Sequence, residues 1–450
     1  MNNISMKKRY CRIPGKKSLA AAALLALSLP AVGSAAQAAD AGQSPLLDIL
    51  IQKGILTQEE AGRIQQEAAA QEQQKQQEMV KDIQDKGLAI PEALKGIKIE
   101  GLGYIDYSAG NHGAAGDKQS SYNDFTLQRG YLGVTKEITP WLGARVTTDI
   151  TRLASGDIET RIKYLYAYAK PKNVGFLTDM TAEFGQGHIP WLDFEEHVNP
   201  FRLQGTMPIE RAGVLNSADV GISLQGFFGG KLADAKARTG NGAYAGRYGS
   251  WHFGVYNGAG YHADDKNGNK PIEGRLTLRP LPDTLPGLQL SYFGVTGKGN
   301  QPTNEPDYSV NMGMISYEHP AFILYTDYIR TTGNSGGTWV VPGTSDSLET
   351  SDLAFFGTYH LPVLQRKLSV FGRYDHFDGD VNNDVRAGDD ATYNLYMSGL
   401  VYDIYKGNMV LLDYEWANYG KDSGGMGNAP VIGNNLGNDN RVQLVYQFAF

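Results

Sequence analysis

Charged side chains recur opposite apolar ones at every second position, and this spacing is the main chemical signal of the chain. Arg145 alternates with Ala144 and Val146, Arg161 and Lys163 with Ile162 and Tyr164, and Arg275 and Arg279 with Leu276 and Leu278; Arg373 stands in a similar setting. Cations on one face of a set of strands can line a water-filled lumen, where a ring of them favours anions. Asp149, Glu159, Glu273, Asp375, Asp413 and Glu415 fall on the same faces. The wall therefore reads either as anion-selective or as salt-bridged and non-selective, because paired charges cancel at a distance. Residues 190–218 gather Trp191, Asp193, Glu195, Glu196, His197, Phe201, Arg202, Glu210 and Arg211. A long loop with aromatics and both charge signs can fold inward and narrow a pore, whereas a surface loop has little use for Trp191 and Phe201. We expect a constriction formed by Arg202, Arg211, Glu210, His188 and Trp191, with the two arginines setting selectivity.

Other chemistry finds little support. Asp378-Gly379-Asp380-Val381-Asn382-Asn383-Asp384 has a D-x-D-x-N spacing, but Asn383 stands where a calcium loop needs glycine and Asp389 where it needs a bidentate Glu. A solvated acidic loop is the expectation there. No G-x-S-x-G or H-E-x-x-H occurs, and the eight His are scattered. The lone cysteine, Cys11, lies in the leader, so no C-x-x-C-H haem attachment or cysteine-based metal site is possible. The expectation is a protein without cofactor or metal, and not an enzyme.

The elements that must position these residues begin with an export signal. Lys7, Lys8, Arg9, Arg12, Lys16 and Lys17 precede an apolar run from Leu19 to Leu29, then Pro30 and small residues ending Ala36-Gln37-Ala38. That order reads as a signal peptide over residues 1–38; the run is too short for a membrane-spanning helix. Removing these six basic residues leaves 35 basic against 48 acidic, formally −13, which argues against nucleic-acid binding. Residues 39–95 read as a helical periplasmic segment. Ser44-Pro45 opens a short helix closed by Gly54, and Thr57-Gln58-Glu59-Glu60 is a capping box for a second, which Gly87 can end. Its Ile64, Met79, Val80 and Ile83 are too sparse for a strict heptad, so it reads as a solvated linker helix or a short oligomerising coiled coil.

From 96 to 450 the period becomes two. Sixteen strands are expected, at roughly 97–107, 122–136, 141–153, 157–170, 176–189, 219–228, 247–257, 271–280, 287–297, 307–318, 320–331, 350–361, 366–377, 391–405, 407–418 and 439–450. The phase is clearest where Ala144, Val146, Thr148 and Ile150 oppose Arg145, Thr147 and Asp149. It is also clear where Ile162, Tyr164, Tyr166 and Tyr168 oppose Arg161 and Lys163, and where Val442, Leu444, Tyr446, Phe448 and Phe450 oppose Arg441, Gln443 and Gln447. Gaps after odd strands are long (108–121, 190–218, 258–270, 298–306, 332–349, 378–390, 419–438) and gaps after even strands are short. Two gaps break the parity: 154–156 is too short and 229–246 too long, either from an irregular insertion or from a miscounted strand pair. The fold expected is an all-β, sixteen-stranded antiparallel transmembrane barrel.

Several motifs in order make the chain resemble the phosphate-selective porins, the O/P porins, over residues 97–450. They are Asp124-Phe125, Gly185-Gln186-Gly187-His188-Ile189-Pro190, Ile209-Glu210-Arg211, Asp219-Val220-Gly221 and Val255-Tyr256-Asn257-Gly258. The terminal Phe450 is similar to the signal read by the outer-membrane assembly machinery. The resemblance implies a usually trimeric outer-membrane porin with its third loop folded into the lumen. The chain departs from the family where several arginines would follow Asp-Phe: here Gln128-Arg129-Gly130-Tyr131 leaves Arg129 alone, and His188 occupies a lysine position. The expected function is passive diffusion of small hydrophilic solutes, with a weak preference for phosphate-type anions. The alternative is a barrel sheath around a partner such as a multihaem cytochrome. Lipid of the outer membrane, a homotrimeric arrangement and a periplasmic partner complete the expectations.

Overall fold

The computed structural model describes residues 50–51, 53–85, 94–116, 118–153, 155–385 and 390–450. The expected signal peptide, most of the helix opening at Ser44, and Gly87 lie outside the described residues. Two compact units divide the chain, residues 1–95 and Gly96–Phe450. In the first, α1 spans Gln58–Asp85, and its start is the expected capping box. The Glu60 amide donates to Thr57 Oγ1 (3.2 Å) and the Thr57 amide donates to Glu60 Oε2 (2.8 Å). Both bonds satisfy amides that have no partner in a first helical turn. They also hold the Glu60 carboxyl below its ordinary range.

The second unit is a closed antiparallel barrel of sixteen strands. In chain order these are β1 Ile97–Ala114, β2 Lys118–Thr139, β3 Leu142–Arg152, β4 Ile158–Ala169, β5 Leu177–His188, β6 Ala218–Phe228, β7 Gly249–Tyr256 and β8 Ile272–Leu278. The second half comprises β9 Leu288–Lys298, β10 Asp307–His319, β11 Phe322–Thr332, β12 Glu349–His360, β13 Leu368–Asp378, β14 Thr392–Tyr405, β15 Asn408–Tyr419 and β16 Asn438–Ala449. Each strand pairs with its sequence neighbours, and β1 pairs with β16 from Leu102↔Ala449 to Asn111↔Asn440. The expected fold class and all sixteen strands are borne out. Alternation sets the two faces: Ile272, Leu276 and Leu278 stand exposed on the outside, while Glu273, Arg275 and Arg279 are buried inside.

Three expectations change. The gap 108–121 is not a long loop, because β1 and β2 run on as a paired ribbon to Ala114 and Lys118. Its residues are polar and glycine-rich, so alternation is invisible there, and pairing is held by the ladder and by contacts such as Ser121 Oγ to Asn111 Oδ1 (2.7 Å). The parity breaks at 154–156 and 229–246 are not a miscounted strand pair. At the first, Arg152 of β3 pairs directly with Ile158 of β4 and the Leu153 amide donates to the Asp157 carbonyl (2.8 Å); the second is an insertion holding a short helix, α4, at Ala235–Thr239. Finally, Tyr164, Tyr166 and Tyr168 do not face outward. On β4 Thr147 pairs with Tyr164 while Thr148 pairs with Ile162, so Lys163 is a bulge. One extra residue reverses the phase of everything beyond it: Ile162 and Leu165 are exposed outside, and Tyr164 and Tyr166 are buried inside.

A second bulge, at Gln128, places Tyr104 opposite Arg129 and Ile105 opposite Leu127. It turns Arg129 into the lumen, where its guanidinium meets Asp149 at 2.8 Å. The β4 bulge is sealed from β5: Gln186 Nε2 donates to the carbonyls of Ile162 (2.6 Å) and Lys163 (3.0 Å). Gly185 makes that approach possible. Its φ is +127°, and a Cβ there would lie 2.5 Å from the Leu165 carbonyl oxygen. We expect Gly185→Ala to cost about 1–3 kcal/mol through strain and overpacking. The measurement is the temperature at which the unheated, fast-migrating gel form converts to the unfolded one. An unchanged midpoint would show that β5 accommodates the side chain.

Candidate functional site

Residues 189–217, between β5 and β6, carry α2 at Leu192–Val198, a 3-10 turn at Arg202–Gln204 and α3 at Pro208–Arg211. Their apolar residues form one buried set with the inward side chains of β9–β16. Trp191 stacks 5.6 Å from Phe293, Phe201 lies 5.8 Å from Phe371, and Leu203, Met207 and Ile209 are fully covered. Half of the barrel interior is therefore a protein core, not a wetted wall. Trp191 is an anchor of the loop and is sealed from the lumen.

Long polar side chains of the wall satisfy the loop's backbone carbonyls, as burial requires. Arg275 Nε donates to Pro190 O (2.9 Å), Arg373 Nη1 to Thr206 O (2.7 Å) and Gln443 Nε2 to Gln204 O (3.1 Å). Arg275, Arg279 and Arg373 all project inward, as alternation required, but they lie under loops and do not line open water. Arg373 is further paired with Asp375 at 2.5 Å.

The insertion between β6 and β7 enters from the barrel end where β1 begins and β16 finishes, opposite to the loop of β5 and β6. The two meet. Asn241 Nδ2 donates to His197 O (2.9 Å) and to Glu318 Oε1 (2.6 Å), and Tyr244 Oη donates to Asp193 (2.5 Å). The Tyr244 ring stands 5.3 Å from Phe194, and the Arg275 guanidinium lies over both rings at 4.9 and 4.3 Å. Nothing in the residues of this segment pointed to that role; only the excess length at 229–246 signalled it.

Inward cations that keep partial exposure stand on the wall of β1–β4, Arg129 at 25%, Arg145 at 27% and Arg161 at 29%, and mark the opening left beside this double insert. On the wall, Arg129 and Arg161 share Asp149 (2.8 and 3.4 Å), Arg161 also reaches Glu159 (3.6 Å), and Arg145 reaches Glu100 (3.6 Å). Lys163 lies against tyrosine rings. On the loop, Arg202 is held between Glu196 (2.9 Å) and Glu210 (3.3 Å). Arg202 lies within electrostatic reach of Arg129, Tyr104 and Tyr131, so loop and wall share one polar opening. Arg211 is directed away from it, into a pair with Glu415 (2.9 Å) that Arg441 shares (3.0 Å). His188 sits at the loop's root, 3.1 Å from Glu183 and packed on Tyr164. The structure thus brings Arg202, Glu210, Arg145, Arg161 and Lys163 to one opening. It adds Arg129, Glu196, Tyr131 and Tyr261, which sequence reasoning left out or undecided.

Behind the loop, Glu195 accepts a hydrogen bond from Trp191 Nε1 (2.7 Å) among Arg373, Asp375, Asp327 and Asp352. Burial raises its carboxyl far above the ordinary value of 4.5, against the Trp191 bond and the Arg373 charge. Elsewhere, both carboxylate oxygens of Asp380 accept backbone amides, from Asp384 and Val385 (2.8 Å each). The expected acidic loop is thus a self-capped turn, while Asp389 lies outside the described residues.

No protein-family model matches this chain, and no curated protein matches its sequence. The barrel is similar to solved structures, among them two outer-membrane porins. One is an anion-selective porin from Comamonas acidovorans, 12% identical, with 79% of this chain and 100% of that one covered at a TM-score of 0.51. The other is OmpF of Salmonella typhi in complex with daunomycin, 14% identical, covering 78% and 97% at a TM-score of 0.53. The likeness is one of fold: the chain has the architecture of outer-membrane porins.

Two outcomes are expected from this geometry. Glu195 holds a proton in the folded state that it releases in the unfolded one, so its contribution to stability falls as pH rises above the ordinary 4.5 and levels off once the folded carboxyl ionises. Glu195→Gln should remove that slope from the unfolding midpoint measured between pH 5 and about 9; an identical slope in the variant would assign it to other acids. Asn241→Ala with Tyr244→Phe should leave the barrel closed but loosen the loop, losing about 1 kcal/mol per hydrogen bond. Proteolysis within 190–218 should then be faster, and unchanged protection would mean the insertion does not support the loop.

Proposed function

We propose that the chain is an outer-membrane porin, a passive diffusion channel and not an enzyme, that passes small hydrophilic solutes and favours anions. The observation that carries this reading is the opening between the β1–β4 wall and the inserted loop. There Arg129, Arg145, Arg161, Lys163 and Arg202 converge on a passage whose other walls are packed protein. Charges held where water is scarce act on a solute with little screening. A leader cleaved at residues 1–38 and a homotrimer belong to the same reading. The sheath alternative finds less support, because the chain's own two inserts occupy the lumen space a protein partner would need.

Planar-bilayer recording in a salt gradient tests it. The wild type should form open channels with a reversal potential on the anion side. Arg202→Glu should move it towards cations, and the shift should shrink between 0.1 M and 1 M salt as the Debye length falls from ~10 to ~3 Å. Arg211→Glu should instead lower the yield of folded barrel, since it sets a second carboxylate against Glu415. If Arg202→Glu keeps the parental potential while Arg161→Glu changes it, selectivity resides on the wall. If no form conducts, the sheath reading takes precedence.

A further inference from the structure

Lys163 differs from every other cation at the opening. Arg129 and Arg161 share Asp149, Arg145 faces Glu100, and Arg202 is bracketed by Glu196 and Glu210. Lys163 is only 8% exposed, yet among the described residues no carboxylate oxygen approaches its ammonium within 4.0 Å. Its neighbours are aromatic: the ammonium stands 4.8 Å from the centroid of the Tyr131 ring and 5.3 Å from that of Tyr164. Tyr261, from the connection between β7 and β8, lies within electrostatic reach, with its hydroxyl bonded to Asp149 (3.1 Å). The arrangement exists because of the β4 bulge, which turns two consecutive residues, Lys163 and Tyr164, to the inside.

A buried ammonium that is not neutralised favours an anion, and the surroundings restrict which one. Ring faces cannot replace the hydration shell of a small inorganic anion, but they can cover a flat apolar body. Glu196, across the opening, also acts on Lys163 and opposes a second negative charge. Arg129 is already engaged by Asp149 and Arg161 by Asp149 and Glu159, so they offer no second free cation. We infer that Lys163, with Tyr131, Tyr164 and Tyr261, forms a subsite for aromatic monocarboxylates, the carboxylate against the ammonium and the ring among the phenols. This deepens the channel reading and rests on it for transit, though not for binding.

The test separates the two. Calorimetric titration of the full-length protein in detergent, with benzoate, acetate and inorganic phosphate as probes, reports binding whether or not the chain conducts. Chloride current in a bilayer reports the channel. Benzoate should bind about tenfold more tightly than acetate or phosphate and should reduce the chloride current over the same concentrations. Lys163→Gln should weaken benzoate by about tenfold or more. Tyr131→Leu keeps the charge and should lower the preference for benzoate over acetate. Gel mobility before and after heating identifies the folded form of each variant. Phosphate binding as well as benzoate, or benzoate binding equally to Lys163→Gln, would overturn the subsite. Benzoate binding that depends on Lys163 without any chloride current would uphold the subsite and remove the channel.

Discussion

The ladder that closes β1 onto β16 leaves no strand of the barrel with an unpaired edge, and the closed sheet obliges side chains to alternate between lipid and lumen. Everything else in the molecule depends on that alternation. Because the strand ends are set by their neighbours, a surplus residue cannot be absorbed by sliding. It must become a bulge, and a bulge reverses the phase beyond it. Two such residues, Gln128 and Lys163, decide what the lumen contains. The first brings Arg129 inside to Asp149, and the second brings in Lys163 and the row of Tyr164 and Tyr166.

The interior of the barrel is divided in use. Along β9–β16 many inward residues are apolar and make a core with the loop of β5 and β6, while Arg373 and Gln443 satisfy loop carbonyls and Asp327, Asp352 and Asp375 form a buried acidic group behind it. Arg275 and Arg373 owe their burial to this role. Taking a guanidinium out of water costs several kcal/mol, and here the return is a set of hydrogen bonds to carbonyls, carboxylate or hydroxyls. The insertion between β6 and β7 completes the packing from the other end through Tyr244 and Asn241. A loop clamped on both faces can hold charges at fixed positions, which a solvated loop cannot.

Along β1–β4 the lumen stays polar. Its charges are mostly compensated in pairs and triads, so the long-range field is small while the local one is specific. Arg202 lies within electrostatic reach of Arg129, and its partner Glu196 within reach of Lys163, so a solute in between meets named groups and not an averaged potential. The proposed anion preference therefore rests on a few residues at one level of the pore, with Lys163 the cation least compensated by the protein itself.

Residue order alone determined the sixteen strands, their approximate ends, the capping box at Thr57 and the inward face of Arg145, Arg275 and Arg279. Each of these follows from local period or local hydrogen bonding, which needs no distant partner. It also marked 190–218 as a loop with a purpose, through Trp191 and Phe201. Only the tertiary structure decided that Trp191 anchors and does not line the opening, and that Arg211 turns to Glu415 while Arg202 stays at the slot. The same holds for Arg373, covered by the loop whose carbonyl it binds. The direction of the tyrosines after Lys163 escaped the sequence because a bulge is defined by its partner strand: counted along β4 alone, the alternation looks unbroken. The loop of β6 and β7 escaped for a related reason, since what it touches lies some fifty residues away in sequence and enters from the opposite end of the barrel.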